Sequence, residues 1–500
     1  VTPRTQSPFA TLLRRLAVPG AVKNSSALQP RWWWLLGLLA PVYVALAAAM
    51  PPADDEVYYW CWSKTLQFSY YDHPGMSAYM IRLSTALLGD TLFAIRLPAV
   101  VASLGVFAVI GYLTRPRTLL PLIAVTPLFT FGAILVTPDT PLMIFWALYL
   151  VWMVKVHERL DSEQRIPLAM WVLGGVILGC GILGKYTMAL GMMFGFVAFL
   201  IAGGPRRWFG GYVLHGVVAF LTASPILIHN IRHEFVPILY QWKHSMGSPE
   251  PGWKPFLEFA GVQLLLFGTL PFWILGWAIP RRRELLADPR LRVCFCLFML
   301  PFAFFLFKAT RGRLEGNWAL ACYIALWPLA ALWYESIRAS RFWRRMAVAA
   351  FSAPLICISL VSLHLVSPFS LLSPEKDRIY RQTAKLELSR AVTQRVRELH
   401  SVGIPLFTTD YQWTSMLRFA GTHTFQIDGM TRPSHFTQND SGPAPKLTDH
   451  DRVMILTEGP IPEEFLGSMV RTAPEIQFPL MVRGKHVTTM WLLGYERGVR

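Results

Sequence analysis

The chain is 500 residues long, 53% hydrophobic and 15% charged, with a mean hydropathy of +0.39. Water-soluble domains carry roughly 25% charged residues, so a soluble enzyme is excluded. Apolar runs at 32–50, 119–136, 257–279 and 293–307 each approach the ~20 residues that cross a hydrocarbon core, which makes this a polytopic membrane protein.

The net charge of +17, from 47 basic against 30 acidic residues, is not a nucleic-acid footprint. Its basic residues fall in alternate short gaps between apolar runs. Arg14, Arg15 and Arg31 precede the first run, followed by Arg115 and Arg117, then Lys155, Arg159 and Arg165, then Arg206 and Arg207. Arg281, Arg282 and Arg283, and later Arg341, Arg344 and Arg345, continue the series. That is the positive-inside pattern, and it places the N-terminus and these gaps in the cytoplasm.

Taken in chain order, residues 1–30 are polar and basic, with no apolar core and no small-residue cleavage site. A cleaved signal peptide is therefore not expected, and the first span acts as an uncleaved anchor. Spans are expected near 32–50, 93–113, 118–136, 140–156, 168–184, 186–202, 211–229, 257–279, 291–307, 318–336 and 346–366. Eleven crossings leave the C-terminal part outside. The first outer loop, 51–92, is too long for a simple connector. It opens on Asp54, Asp55 and Glu56, then runs through Tyr58, Tyr59, Trp60 and Trp62. The stretch 57–66 reads as an amphipathic helix suited to the interface.

From 370 onward the polarity becomes ordinary. A helical pattern over 383–399 precedes short strands at 453–456 and 488–493, punctuated by Gly403-Ile404-Pro405 and Gly442-Pro443. This reads as a small α/β domain outside the membrane. Cys180, Cys294, Cys296, Cys322 and Cys357 lie in expected spans and Cys61 stands in the first outer loop, so no disulfide framework is indicated. No Cys-x-x-Cys or His-x-x-x-His pair points to a metal. No internal repeat is visible.

Acids at the exit of a span suggest a catalytic mouth facing the far side of the bilayer. Asp54 also suits the N-cap of a helix starting at Glu56, and Asp139 the cap of the span from Thr140. Lys185, flanked by Gly184 and Tyr186 between two apolar runs, either snorkels or reaches a polar cavity. Lys308, Arg311 and Arg313 cluster on the outer side against the positive-inside pattern, where head groups or another anionic lipid would offset them. His229 and Asn230 end a span, which suits helix capping as well as binding.

The Asp-Glu pair Asp55-Glu56, the aromatic run and Tyr70-Tyr71-Asp72-His73-Pro74 together resemble the polyprenyl-phosphate-sugar glycosyltransferases of the GT-C fold. The likeness is to the branch related to protein O-mannosyltransferases and lipid A aminoarabinose transferases. Further matching segments are Thr137-Pro138-Asp139-Thr140-Pro141, Gly184-Lys185-Tyr186-Thr187, Ile228-His229-Asn230 and Arg313-Leu314-Glu315-Gly316-Asn317-Trp318. The resemblance covers about 50–330; beyond 370 it rests on size, position and Asp410-Tyr411-Gln412-Trp413.

The resemblance implies a mostly α membrane protein of GT-C type, with about eleven transmembrane helices and a small C-terminal α/β extracytoplasmic domain. Residues 1–31 would be a cytoplasmic segment, 32–368 the catalytic domain with 51–92 as first periplasmic loop, and 369–500 the periplasmic α/β domain. It further implies sugar transfer from an undecaprenyl-phosphate donor to lipid A, lipopolysaccharide core or another envelope acceptor, with inversion at the anomeric carbon, on the periplasmic side of a bacterial inner membrane.

In that frame Asp55 is the expected base and Asp139 a second catalytic acid. His73, standing where the aminoarabinose transferases carry Lys, would meet the donor phosphate with Lys185, Lys308, Arg311 and Arg313. Glu56, Tyr71, Asp72, Tyr186, His229, Asn230, Glu315, Asn317 and Trp318 would contact substrate, and Trp62 or Trp318 could stack on a sugar. No cofactor is implied, and a divalent metal stays open. A protein O-mannosyltransferase shares fold and donor. A lipid or sugar transporter, from a different class, is disfavoured by the lack of related halves.

Overall fold

The computed structural model describes residues 32–246, 252–370, 372–399, 403–438, 442 and 444–498. The N-terminal segment 1–31, with Arg14, Arg15 and Arg31, and Pro443 lie outside the described residues. The chain divides into two compact units. One comprises the chain up to Ala47, Arg96–Ile228 and Leu239–Leu360; the other comprises Ala48–Ile95, His229–Ile238 and Val361–Arg500.

The first unit is helical. Among the described residues, five helices are long and apolar enough to cross a membrane, and eight spans result if each bent helix pair counts as one. The expected count of eleven crossings is thus not confirmed by the described helices. The run at 118–136 is the clearest departure: it forms a helix at Leu120–Ala124 and two 3-10 turns, Pro127–Phe129 and Phe131–Ala133. Pro121 is tolerated in the first turn of its helix, but Pro127 lacks the N–H that a continuous helix through the run would need. The run at 257–279 is two helices, Trp253–Phe267 and Leu270–Ala278, bent by 97°. Leu168–Gly184 and Ala189–Ile201 are apolar but short.

Small residues let these helices approach. A Cβ on Gly174 would lie 2.1 Å from the Trp152 ring, and one on Gly175 would lie 2.6 Å from the His215 carbonyl. Close backbone packing of this kind replaces the hydrophobic drive that lipid removes. At one end of the helices Asp139–Asp161 and Pro289–Ala309, Arg292 clasps Asp161 with two bonds of 2.7 and 2.9 Å.

The second unit combines the helices Asp54–Lys64 and Met76–Leu88 with a C-terminal α/β region. Its five strands are β1 (Leu406–Thr408), β2 (Thr424–Gln426), β3 (Arg452–Thr457), β4 (Met469–Val482) and β5 (Lys485–Arg497). They lie in the order β2-β1-β3-β5-β4, with β1 parallel to both neighbours and β5 antiparallel to both of its own. Alternation along β3 sends Met454 and Leu456 to a core with Leu388 and Val392 of helix Arg378–Glu398. Val453 and Ile455 face the opposite cluster with Phe407 and Tyr495. Arg483 and Gly484, with φ of 52° and 73°, form the two-residue turn between β4 and β5, as a hairpin requires.

The aromatic stretch after the acids is buried on all sides rather than amphipathic. In Asp54–Lys64, Asp54 and every residue from Glu56 to Ser63 are buried. Four aromatics in five positions cover all sides of the helix. Trp62 stacks on Tyr70 at 4.4 Å, and Trp60 meets Phe419 edge-on at 5.3 Å.

Candidate active site

In the second unit, the three acids after the first span have three different fates. Asp54 is the first residue of its helix rather than its cap. Its carboxylate accepts from Lys385 Nζ at 2.8 Å and Gln382 Nε2 at 2.9 Å, both on Arg378–Glu398. Glu56 reaches back to the Ala53 amide at 3.1 Å, satisfying one orphan donor of the helix start. Asp55 forms no ion pair among the described residues and is exposed; Tyr411 Oη donates to it at 3.4 Å. Burial pushes its pKa up although one edge reaches solvent. Asp54 adds to that rise, while Tyr411 and Arg432 oppose it.

Asp72 lies in a tight turn closed by the Ser69–Pro74 bridge and by the Tyr70 amide donating to the His73 carbonyl at 3.1 Å. Its carboxylate accepts from Tyr58 Oη at 2.7 Å and pairs with Arg432. Burial works against the guanidinium charge, but Asp72 and Tyr411 hold its pKa above the usual value. The Arg432 guanidinium lies 4.2 Å over the Tyr411 ring, and Tyr58 packs on that ring at 4.6 Å. Tyr71 is buried and His73 half-buried in the same turn. His229 and Asn230 are buried at the end of helix Pro205–Arg232. Asn230 Oδ1 accepts from the Ile238 amide at 3.0 Å, and its carbonyl accepts from the Phe235 amide at 2.7 Å. It closes the turn carrying Glu234 and Phe235 at positive φ.

In the first unit, Asp139 begins the helix Asp139–Asp161 but does not cap it. That work falls to Thr137, whose Oγ1 accepts from the Asp139 amide at 3.2 Å, and to Thr140, whose Oγ1 accepts from the Thr137 amide at 3.2 Å. The carboxylate is thereby released to Lys185 Nζ, at 2.7 Å, and Asn317 Nδ2, at 2.6 Å. Gly184 makes the approach possible, since a Cβ there would lie 2.9 Å from Pro141. Asn317 is held from behind: Gln263 donates to the Gly316 carbonyl at 3.0 Å and accepts from Tyr323 Oη at 2.8 Å. A cavity of about 220 Å³ opens beside Asp139, Asn317 and Thr137, with Val106, Phe129 and Met143 among its apolar walls.

Lys308 ends the helix Pro289–Ala309, Arg311 covers the Phe307 ring at 5.2 Å, and Arg313 makes an exposed 3.4 Å pair with Glu315. Tyr186 opens a 3-10 turn after Lys185, and Trp318 is half-buried in the turn Gly316–Cys322. Among the described residues, no three His, Cys, Asp or Glu side chains group as metal ligands. Arg432, Lys385, Gln382, Gln263 and Tyr323 are candidate-site residues that motif reading missed. Each acts on a partner distant in sequence or through a side chain ordinary for its segment. Tyr58 and Tyr411 lay within the motifs but carried no assigned role.

The comparisons with known proteins find this chain similar to sugar transferases that act on lipid-linked substrates, the class its motifs suggested. The profile of the dolichyl-phosphate-mannose-protein mannosyltransferase family matches residues 72–229. The lipid A galacturonosyltransferase RgtD of Rhizobium johnstonii is 25% identical over 356 residues, covering 67% of this chain and 71% of that protein. The undecaprenyl phosphate-alpha-4-amino-4-deoxy-L-arabinose arabinosyl transferase 1 of Pseudomonas fluorescens is 25% identical over 358 residues, covering 64% of this chain and 57% of the relative. ArnT from Cupriavidus metallidurans bound to undecaprenyl phosphate superposes with a TM-score of 0.58 at 15% identity, covering 92% of this chain and 98% of that one. Its apo structure matches equally, at 0.58 and 14% identity. At that identity the likeness establishes the fold.

Proposed function

We propose that this chain is a bacterial inner-membrane glycosyltransferase that moves one sugar from undecaprenyl phosphate to lipid A or another envelope glycan on the periplasmic side. Residues 32–368 form the catalytic membrane domain, 51–92 its first periplasmic loop, and 369–500 a periplasmic α/β domain. The acceptor hydroxyl oxygen attacks the anomeric carbon, the bond from that carbon to the phosphate oxygen breaks, and undecaprenyl phosphate departs. Asp55 takes the hydroxyl proton, and attack opposite the leaving group inverts the centre.

The observation that carries this reading is the contrast among neighbouring acids. Asp54 and Asp72 are neutralised by Lys385 and Arg432, whereas Asp55 forms no ion pair among the described residues and faces solvent. A carboxylate of raised proton affinity, free to take a proton, suits a general base. On the phosphate side, Lys185 spends one N–H on Asp139 and keeps two without a protein acceptor among the described residues. These donors, with His73, Lys308, Arg311 and Arg313, suit the charge that develops on the leaving phosphate. Asp139, itself held by Asn317, then holds Lys185, and the substrates named for the relatives support a lipid-linked donor and a lipid A acceptor.

Asp55→Asn in the purified full chain should lower sugar transfer by about 100-fold or more while thermal unfolding stays unchanged. Retained turnover would remove the base assignment. Mass spectrometry of lipid A and core from cells with and without the gene should differ by one sugar.

A further inference from the structure

Resting on the reading of Asp55 as the base, we infer that Tyr411 and Arg432 are its positioning residues, supplied by the C-terminal α/β region. Helix Tyr411–Phe419 starts with Asp410 as N-cap, whose carboxylate accepts from the Gln412 and Trp413 amides at 2.8 and 3.0 Å. That cap fixes the backbone from which Tyr411 projects. The ring is then held on two sides, by Tyr58 at 4.6 Å and by the Arg432 guanidinium at 4.2 Å. Arg432 is in turn tied to Asp72, which Tyr58 Oη also binds. Tyr58 therefore braces both ends of the chain Asp72–Arg432–Tyr411. The clamped Tyr411 hydroxyl accepts from Gln412 Nε2 at 3.5 Å and donates to Asp55 Oδ1 at 3.4 Å.

A base must be aimed as well as basic. Asp55 is exposed, and an exposed aspartate samples several rotamers unless a partner selects one. A phenol donor both selects an orientation and favours the charged carboxylate. The groups facing Asp55 pull in opposite directions. Asp54 on its own helix and Asp72 in the facing turn are negative, with Asp54 offset by Lys385 of helix Arg378–Glu398. Tyr411 and Arg432 oppose the acids. Burial, Asp54 and Asp72 raise the proton affinity of Asp55, and Tyr411 and Arg432 limit the rise. Without them Asp55 would stay protonated to higher pH and be aimed less well.

The sign follows. Transfer needs ionised Asp55, so activity falls as pH drops through its pKa. In Tyr411→Phe the ring and its packing stay and the hydroxyl goes. The acid limb of kcat/KM should move to higher pH by about half a unit, and kcat should fall several-fold with little change in KM. Arg432→Gln should move the limb the same way, and Arg432→Lys, which keeps the charge, by less. Carbodiimide labelling of the Asp55 carboxyl, read by peptide mass spectrometry across pH on the detergent-purified full chain, gives the same midpoint without any substrate.

An upward shift of the labelling midpoint in Tyr411→Phe, with unchanged thermal unfolding, supports the inference. An unchanged midpoint and acid limb overturn it while leaving the base assignment intact. Active Asp55→Asn overturns both.

Discussion

The Asp139–Lys185 pair is 12% and 8% exposed at its two side chains, where an ion without its partner is costly. Removing one member of a buried pair costs about 3–5 kcal/mol, whereas replacing both by apolar groups is often neutral. Lys185→Met should therefore lower the unfolding temperature of the detergent-purified protein sharply, and Lys185→Met with Asp139→Leu should recover most of it. If the single variant unfolds like the parent, the pair is not a closed unit. The two acids Asp54 and Asp139 also show what a sequence conveys about a site. Each was legible as a residue at a helix start, because Thr-Pro-Asp and Ala-Asp-Asp are local signals. Neither partner was legible to the same degree. Lys385 lies 331 residues from Asp54, and Lys185 lies 46 from Asp139. The capping expected of Asp139 is done by Thr137 and Thr140, while Asp139 stands one residue inside the helix with its two oxygens taken by Lys185 and Asn317.

Gly268 separates the helices Trp253–Phe267 and Leu270–Ala278, with φ of +64°. A Cβ there would lie 1.7 Å from the Ala350 carbonyl oxygen, which accepts from the Thr269 amide at 3.1 Å. The bend thus needs both the left-handed backbone and the missing side chain. Gly268→Ala should cut the yield of monodisperse protein on size exclusion and destabilise what remains by more than about 1 kcal/mol. Gly37→Ala, in helix Trp34–Ala49 with nothing within 4 Å of the added carbon, is the neutral control. Equal behaviour of the two would remove the steric account of the break. Hydropathy located this run, as it located Leu92–Leu113 and Asp139–Asp161 within a few residues. It did not locate the bend, since apolarity is indifferent to whether Gly268 sits in a helix or ends one. Of the five C-terminal strands only β3 and β5 were readable. The apolar run at 453–456 was readable because its sheet is covered on both faces, and β5 extends beyond its apolar centre at 488–493. Strands β1, β2 and β4 were not located.

For the whole molecule, sidedness decides whether the proposed chemistry is possible. An undecaprenyl-linked sugar used outside the cytoplasm requires Asp55 on one face of the membrane and the basic gaps on the other. Helix Arg341–Ala350 illustrates the basic side. Arg341, Arg344 and Arg345 are exposed at positions sharing one face, beside exposed Phe342 and Trp343 and with no acid in the first turn. Like charges at that spacing disfavour a helix in water, and cations near its N-terminus oppose the dipole. Both costs fall beside the anionic lipid of a cytoplasmic leaflet, at about 1 kcal/mol per cation. Thr65, exposed at the end of Asp54–Lys64, and Arg283, exposed in another basic gap, then report opposite faces. Thr65→Cys should react with a membrane-impermeant maleimide in intact cells opened only at the outer membrane. Arg283→Cys should react only after the inner membrane is permeabilised. The native cysteines Cys61, Cys294, Cys296 and Cys322 are buried and Cys180 and Cys357 half-buried, so the parent protein supplies the background. Labelling of Arg283→Cys in intact cells, with Thr65→Cys protected, would invert the topology and move the proposed transfer into the cytoplasm.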